Sequence, residues 1–383
     1  MTIAFLSHLD LNLYLFRLPI MKKLVEEGHK VYAVCPKGDK FDSFFEHGIE
    51  PIEYKIERGS LNPFKELKAI YNIYGAIKTL NLDVLHTFTA KPNIYGTLAG
   101  KMAKVPSIVN LVEGLGSFYV EDTTKSIIIR NVIEKLYKIV FSMSHQVVFV
   151  NSDDPEYLEK RGVITKNKIT IIKSVGIDTE AFNLNKISKI EVDKLRNDLG
   201  LKDKIVVLMV ARAIWHKGVR EYYESAKILS ENKNLKFILV GDIDEGNPSS
   251  ANVEFLNAGA VMWLGRRDDI LELTAISDIY VLPSYREGVP RTLLEAASMA
   301  KPIITTNTVG CREVVEDGKN GFLIPVKDAQ QLANKIEYLS KHSDERKIMG
   351  ENGRIRAINE FDIKYVVEQY LKLYSLLEKK GKQ

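Results

Sequence analysis

The sequence predicts an α/β protein built as two doubly wound domains, each a parallel sheet with helices on both faces, with a central cleft between them. Three observations predict it. Short, nearly continuous apolar runs alternate with longer stretches of helical periodicity, and such runs are strands covered on both faces, as parallel sheets are. The alternation occurs twice, separated by the polar stretch 174–204. A chain of 383 residues also exceeds one ordinary core, so two domains are expected.

In chain order, the first series of runs is IAFLS, VYAVC, VLHTF, SIVNLV and QVVFV. The second is IVVLMV, KFILV, AVMWLG, DIYVLPS and PIITT. Ten strands follow, and the periodic segments between them read as crossover helices. The last segment, FDIKYVVEQYLKLYSLLEKK, reads as an amphipathic helix,. The expected division is 1–175 for a first domain, 176–361 for a second, and 362–383 for a terminal helix that crosses back to the first. Ligands of doubly wound sheets bind beyond the carboxyl ends of the strands. The segments to read for chemistry are therefore SHLDLN, TFTAKPN, VEGLGS, VARAIWHKG, VGDID, LGRR and SYREGVP.

Composition excludes several classes. Apolar residues make up 45% and charged residues 27%, which is ordinary for a soluble enzyme,. The net charge of +4 is too small for a nucleic-acid binder,. The surplus is local: residues 1–175 hold 23 Lys and Arg against 19 Asp and Glu, and the remainder holds 31 of each. Cys35 and Cys311 are distant and lack metal-ligand spacing, so a disulfide framework is not expected and a reducing compartment fits. No apolar stretch reaches the roughly 18 residues of a membrane span. The start, MTIAFLSHLD, reads as a buried strand,. A cytoplasmic protein that rests on a membrane face is expected.

The second domain carries the most specific chemistry. VARAIWHKG holds Arg212 and Lys217 after its first strand. A guanidinium presents a planar fork to phosphate oxygens, and an ammonium adds a point charge. Gly218 allows the chain to turn and expose backbone. About seventy residues later, SYREGVPRTLLEA holds Glu287 and Glu295. Pro290 fits a helix start, so Gly288, Val289, Pro290 and Arg291 lie where backbone N–H groups collect an anion. Glu287 belongs to the loop. Glu295 lies one to two turns inside the helix, on the face of Arg291 or Thr292, so the two carboxylates reach different parts of a ligand. The bland alternative is a basic turn, a capping carboxylate and a surface glutamate; the co-occurrence of both segments favours function.

In the first domain, LVEGLGS places Glu113 at a strand end before two glycines. That carboxylate can accept from a sugar hydroxyl or an incoming nucleophile, or it can simply cap the next helix. His8, Asn12 and Arg17 follow the first strand, and Lys91 follows a later one; these are candidate acceptor contacts, with structural roles as the alternative. The segment 125–141 mixes apolar residues with Lys125, Arg130, Lys135 and Lys138. It reads as a basic amphipathic helix on an anionic membrane surface, or as an ordinary helix packed on the sheet.

E-x7-E with an upstream R-x4-K resembles the retaining GT-B glycosyltransferases of family 4, over essentially the whole chain. The opening SHLDLNLYLFRLPIMKKLVEEGHKVYAVCP is similar to the subgroup that acts on polyprenyl-diphosphate-linked sugars. The resemblance implies a UDP-sugar donor, with UDP-N-acetylgalactosamine expected, a polyprenyl-diphosphate-linked acceptor, and retention of anomeric configuration. By it, Arg212 and Lys217 grip the diphosphate, Glu287 holds sugar hydroxyls, Glu295 holds the ribose, and the turn at Gly265–Arg266 meets the uracil. Many members carry His or Thr where this chain has Glu113, which leaves Glu113 as a sugar-selecting or acceptor-orienting group. The glycine-rich first loop of many relatives is replaced here by LDLNLYLFR, so binding there uses side chains.

No cofactor and no metal are expected, because fixed cations stand in for a divalent ion. SDD at 152–154 reads as a helix cap and GDID at 241–244 as a strand-end loop. Two other functions remain open at this level: a UDP-sugar 2-epimerase on the same fold, and a two-lobed sugar-binding protein without chemistry.

Overall fold

The computed structural model describes residues 1–57 and 62–381. The chain divides into two units. The first is Met1–Gly176 together with the segment from Ile363 onward, and the second is Ile177–Asp362.

The first unit contains a seven-stranded sheet of β1 (Thr2–Leu6), β2 (Lys30–Cys35), β3 (Glu50–Glu53), β4 (Val84–Phe88), β5 (Ser107–Val112), β6 (Gln146–Phe149) and β7 (Ile169–Ile171). Its order is β3-β2-β1-β4-β5-β6-β7, and all pairings are parallel. Ile3 of β1 pairs with Val31 on one side and Val84 on the other. The strand order therefore reverses between β1 and β4. One core holds Leu6, Val34, Ile73, Ile77, Leu85 and Ile108. Another holds Ile94, Tyr137, Val140, Phe141, Val147, Phe149 and Leu158. Helix Pro63–Ile77 starts as its sequence dictates, with Pro63 in the first turn and the Asn62 side chain accepting from the Phe64 amide,.

The second unit contains a six-stranded sheet of β8 (Ile205–Val210), β9 (Leu235–Val240), β10 (Val261–Trp263), β11 (Ile279–Leu282), β12 (Ile303–Thr306) and β13 (Gly321–Ile324). Its order is β10-β9-β8-β11-β12-β13, again all parallel. The reversal lies between β8 and β11. Helix Lys189–Asp198, which opens this unit's α/β series, begins with a capping box of Ser188 and Glu191,.

All ten apolar runs are strands. The sheets add β3, β7 and β13, and each is a sheet edge. β3 and β7 are short and mixed in sequence (EPIE, ITI), so they lack the continuous apolar character that marks β1 or β8, whereas β13 (GFLI) is a short apolar run that the ten above omit,. The terminal helix, Ile363–Gly381, belongs to the first unit, where it packs on helix Leu18–Glu26. Its Tyr374 hydroxyl lies 2.6 Å from Nδ1 of His86 on β4. Cys35 and Cys311 are buried and unpaired. Among the described residues no helix is long and apolar enough to cross a membrane.

Helix Thr124–Met143 buries Tyr137, Val140 and Phe141. Its opposite face leaves Ile128, Val132 and Ile139 at least half exposed, and Lys125, Lys135 and Lys138 are exposed as well. Arg130 departs from the expected solvent face. It donates to the carbonyls of Phe118 and Glu121 and to the Asp122 carboxylate, so it ties the preceding loop to the helix.

Candidate active site

In the second unit the reversal of strand order brings the loop after β8 beside the loop after β11. The first holds Arg212 and Lys217, the second Glu287. Gly218 makes the close approach possible. It adopts φ +77°, and a Cβ there would stand 2.1 Å from the Pro283 carbonyl oxygen, so only glycine fits. The loops are laced together: the Tyr285 amide donates to the His216 carbonyl at 2.9 Å, and the Ser284 hydroxyl oxygen lies 3.0 Å from the same carbonyl.

The Lys217 ammonium meets Oε1 of Glu287 at 2.5 Å, and the Ser284 hydroxyl donates to that oxygen at 2.6 Å. Only 21% of the Lys217 side chain and 11% of the Glu287 side chain are exposed. Oε2 of Glu287 has no partner among the described residues. One carboxylate oxygen is thus fixed by a cation and a hydroxyl, and the other stays available as an acceptor. A third loop, after β12, supports the arrangement. The Glu287 amide donates to the Val309 carbonyl at 3.1 Å, and a Cβ on Gly310 would stand 2.2 Å from the Gly288 carbonyl. Pro290 caps helix Arg291–Ser298 in extended conformation, with no side chain on the cap. The loop Gly288–Arg291 therefore ends at a helix N-terminus, where the aligned peptide dipoles favour negative charge.

Arg212 is more open, with 55% of its side chain exposed, and it pairs with Asp244 at 2.5 Å. Asp244 also accepts from the Asn247 side chain at 2.8 Å. GDID is the strand-end loop that its sequence predicts, and the fold adds a contact to it. The segment follows β9, β9 lies beside β8, and the Asp244 carboxylate reaches the guanidinium. Adjacency of β8 and β9 is the signal that could have found it.

Glu295 lies on the Arg291 face of its helix, as spacing required; the guanidinium Nε donates to it at 3.0 Å,. The carboxylate is 9% exposed at residue level. Burial pushes it up to about 6, and the Arg291 charge opposes that rise,. The neighbouring Cys311 thiol is pushed up to about 12 by burial and by the Glu287 charge, which leaves it a protonated core residue. Gly265 and Arg266 lie beyond β10 at the sheet edge. Gly265 adopts φ +62° with open space around it, and its carbonyl accepts from the Gly241 amide at 2.8 Å. Arg266 is largely exposed.

In the first unit the corresponding reversal lies between β1 and β4, and His8 and Thr89 occupy it. The His8 Nδ1 is 2.7 Å from the Thr89 hydroxyl. Thr89 has φ +74°, a conformation that is strained for a β-branched residue and that concentrates at functional sites. Asn12 accepts from the Ser7 hydroxyl at 3.2 Å. Arg17 stands differently from the direct contact expected of it, and Lys91 is engaged within the protein. Lys91 donates to the Glu66 carboxylate and to the Glu57 carbonyl, both at 2.9 Å. Arg17 is fully buried and pairs with Glu113. Glu113 follows β5 with its side chain 25% exposed, and Gly116 beyond it has φ +88° with open space where a Cβ would stand.

Of the two acidic motifs, SDD opens helix Asp153–Lys160, with Ser152 at the cap position and both aspartates in the first turn, but the side chain that accepts from the Asp154 amide, at 2.9 Å, is Asn151. Among the described residues no three His, Cys, Asp or Glu side chains gather to hold a metal ion.

Residues 191–356 match the family described as Glycosyl transferases group 1, and residues 2–152 match Glycosyl transferase 4-like. The chain is 41% identical, over 98% of both lengths, to the N,N'-diacetylbacillosaminyl-diphospho-undecaprenol alpha-1,3-N-acetylgalactosaminyltransferase of Campylobacter jejuni. It is 27% identical to the UDP-Gal:alpha-D-GlcNAc-diphosphoundecaprenol alpha-1,3-galactosyltransferase of Escherichia coli, over 92% of this chain and 90% of that one. Among solved structures, a glycosyltransferase from Rickettsia africae superposes with a TM-score of 0.80 at 25% identity, covering 99% of this chain and 98% of the other.

Proposed function

The chain belongs to the group 1 glycosyl transferases, and we propose that it moves N-acetylgalactosamine from UDP-N-acetylgalactosamine to diacetylbacillosamine on undecaprenyl diphosphate, forming an α-1,3 linkage for N-glycan assembly. The observation that carries the donor site is the meeting of Lys217 and Glu287 across β8 and β11, where a cation and an acceptor carboxylate share one loop junction. The 41% identity along both chains supports the choice of sugar and acceptor.

In this reading the second unit holds the donor. Lys217 and Arg212 bind the diphosphate, and Arg212 exchanges the Asp244 carboxylate for phosphate oxygens. Oε2 of Glu287 accepts from a sugar hydroxyl, Glu295 accepts from the ribose, and the turn at Gly265–Arg266 faces the uracil. The first unit takes the acceptor, with His8, Asn12 and Glu113 near it. The acceptor oxygen bonds to the anomeric carbon on the face from which the diphosphate oxygen departs. The bond from anomeric carbon to diphosphate oxygen breaks, and the acceptor proton passes to the leaving diphosphate. Negative charge grows on that diphosphate during the step, so fixed cations stabilise the transition state more than the ground state. No divalent ion is required for this.

The test is a panel of UDP-sugars with a short polyprenyl-diphosphate-linked diacetylbacillosamine, in EDTA, read by mass analysis. Addition of one N-acetylhexosamine from UDP-N-acetylgalactosamine is expected. Transfer of a different sugar would replace the donor assignment. A 2-epimerised donor formed without acceptor would replace the reaction class, and activity that needs added Mg²⁺ would remove the metal-free clamp.

Glu295 gives a pH signature. Its folded-state value of about 6 lies above the ordinary carboxylate value, so the folded protein holds the proton more tightly and its stability falls as pH rises through about 6. The ribose contact needs the ionised form, so UDP-sugar affinity should drop as pH falls through 6. Glu295→Gln should bind more weakly at pH 8 and lose that dependence. Calorimetric titration of a UDP-sugar at pH 5 and 8 reads both, and an unchanged pH dependence in the variant would remove the ribose role.

A lipid-linked acceptor places the enzyme at a bilayer. Helix Thr124–Met143 offers an apolar stripe of Ile128, Val132 and Ile139 beside Lys125, Lys135 and Lys138, which is the chemistry of an anionic membrane surface. Each lysine near such a surface contributes about 1 kcal/mol, less as salt screens it. Vesicles containing phosphatidylglycerol should bind the protein at low salt and release it at high salt. Lys125, Lys135 and Lys138 all changed to Glu should abolish that binding and spare transfer to a short soluble acceptor. Equal loss on long and short acceptors would make the helix structural.

A further inference from the structure

Arg17 is an unusual place for a charge. It sits at the junction of helices Asp10–Phe16 and Leu18–Glu26, where its amide donates to the Leu13 carbonyl and its carbonyl accepts from the Met21 amide. Its backbone is therefore fixed by both helices. Its side chain is fully buried, and burying a guanidinium is costly unless it is paired. The pairing is with Glu113, and the guanidinium carbon lies 4.9 Å above the centre of the Phe88 ring. Phe88 in turn stacks on Phe5, and His86 lies 4.3 Å from Phe88 between ring centres. The terminal helix closes this bed with Tyr370 and Tyr374. Burial, and then the Arg17 charge, push the His86 imidazole well below its ordinary range, so the groups around Arg17 carry no second positive charge.

The arrangement is not optimised for stability. Arg17 Nε, His86 Nε2 and the Tyr370 hydroxyl are all buried without a hydrogen-bond partner. Buried unpaired polar atoms each cost free energy, and an apolar filling would usually be at least as stable. Three of them gather around one arginine whose carboxylate partner reaches solvent at the end of β5. Local departures from good packing are expected where a side chain must be held for a purpose.

We propose that Arg17 is a positioning residue for Glu113: it lies behind the carboxylate, grips Oε1, and leaves Oε2 aimed outward as an acceptor for a substrate hydroxyl, while the aromatic bed of β1, β4 and the terminal helix fixes Arg17. The inference rests on the transferase reading and deepens it by giving Glu113 a defined orientation. Arg17 itself never touches substrate.

The experiment is a double-mutant cycle on the full chain. Arg17→Met, Glu113→Gln and the double variant are compared for kcat, acceptor KM, UDP affinity and Tm. Removing both charges keeps the double variant folded even where Arg17→Met alone is destabilised. Each single variant should lose about tenfold or more in kcat, the scale of one charge-assisted hydrogen bond. The double variant should lose no more than either single, because the two residues act as one unit. UDP affinity should stay within about twofold in all three, the scatter that independent sites show. Arg17→Lys should recover part of the loss, since an ammonium reaches one carboxylate oxygen but cannot lie flat on Phe88. A purely structural pair gives the opposite pattern: Tm falls in Arg17→Met while kcat per folded molecule is retained, and that result overturns the inference alone. Absence of transfer by the unaltered protein with every donor overturns the transferase reading and the inference with it.

Discussion

Lys217→Ala should lower turnover by about a hundredfold or more, the loss that follows removal of one preorganised group facing developing charge. The site geometry sets the expectation. The ammonium is mostly out of water, with 21% of its side chain exposed, and a charge shielded from solvent acts on a diphosphate more strongly than one in bulk water. Arg212 is 55% exposed and shares its charge with Asp244, so Arg212→Ala should cost less than Lys217→Ala. Stability separates the two as well. Removing Lys217 leaves Glu287 largely buried with only the Ser284 hydroxyl, which costs about 1–3 kcal/mol. Removing Arg212 leaves Asp244 near solvent and should barely move Tm. The double variant Lys217→Ala with Glu287→Gln therefore serves as the control: its Tm should recover and its turnover should not. Stopped-time transfer assays with thermal melts on the same samples read this out. Near-normal turnover in Lys217→Ala would remove the diphosphate clamp from the mechanism.

Much of this site was legible in the sequence because its parts are local. Apolar runs such as IVVLMV and DIYVLPS announce β8 and β11, and the cations and carboxylates follow them at strand ends, where doubly wound sheets bind ligands. The pairing of Arg291 with Glu295 follows from helical spacing alone,. What escaped the sequence depends on which strands become neighbours. Asp244 reaches Arg212 because β9 lies beside β8, and no period in the chain encodes that contact. Arg17 and Glu113 are 96 positions apart, and both look like strand-end or loop residues until β1, β4 and β5 are placed in order. The edge strands β3 and β7 escaped for another reason: they are short and mixed in sequence, EPIE and ITI, so no continuous apolar run marks them,.

Glu287→Gln should lower kcat by roughly 10- to 100-fold, since it exchanges a charge-assisted hydrogen bond for a neutral one at a cost of about 1.5–3 kcal/mol. Glutamine has the same shape, so the Ser284 contact at 2.6 Å and the loop held by Val309 and Gly310 should persist, with little change in Tm. The informative quantity is the sign of the change in UDP affinity. In the resting protein Glu287 neutralises part of the Lys217 charge through the 2.5 Å contact. Removing the carboxylate frees that charge for phosphate, so UDP, which carries no sugar, should bind as tightly or more tightly. The UDP-sugar should lose the advantage that its hydroxyl gained from Oε2. Catalysis and UDP binding thus move in opposite directions in one variant, an outcome that general damage to the site does not produce. Weaker binding of UDP together with the fall in kcat would mean that Glu287 serves mainly to place Lys217 and the Gly288–Arg291 loop, and the sugar contact would then belong to another residue.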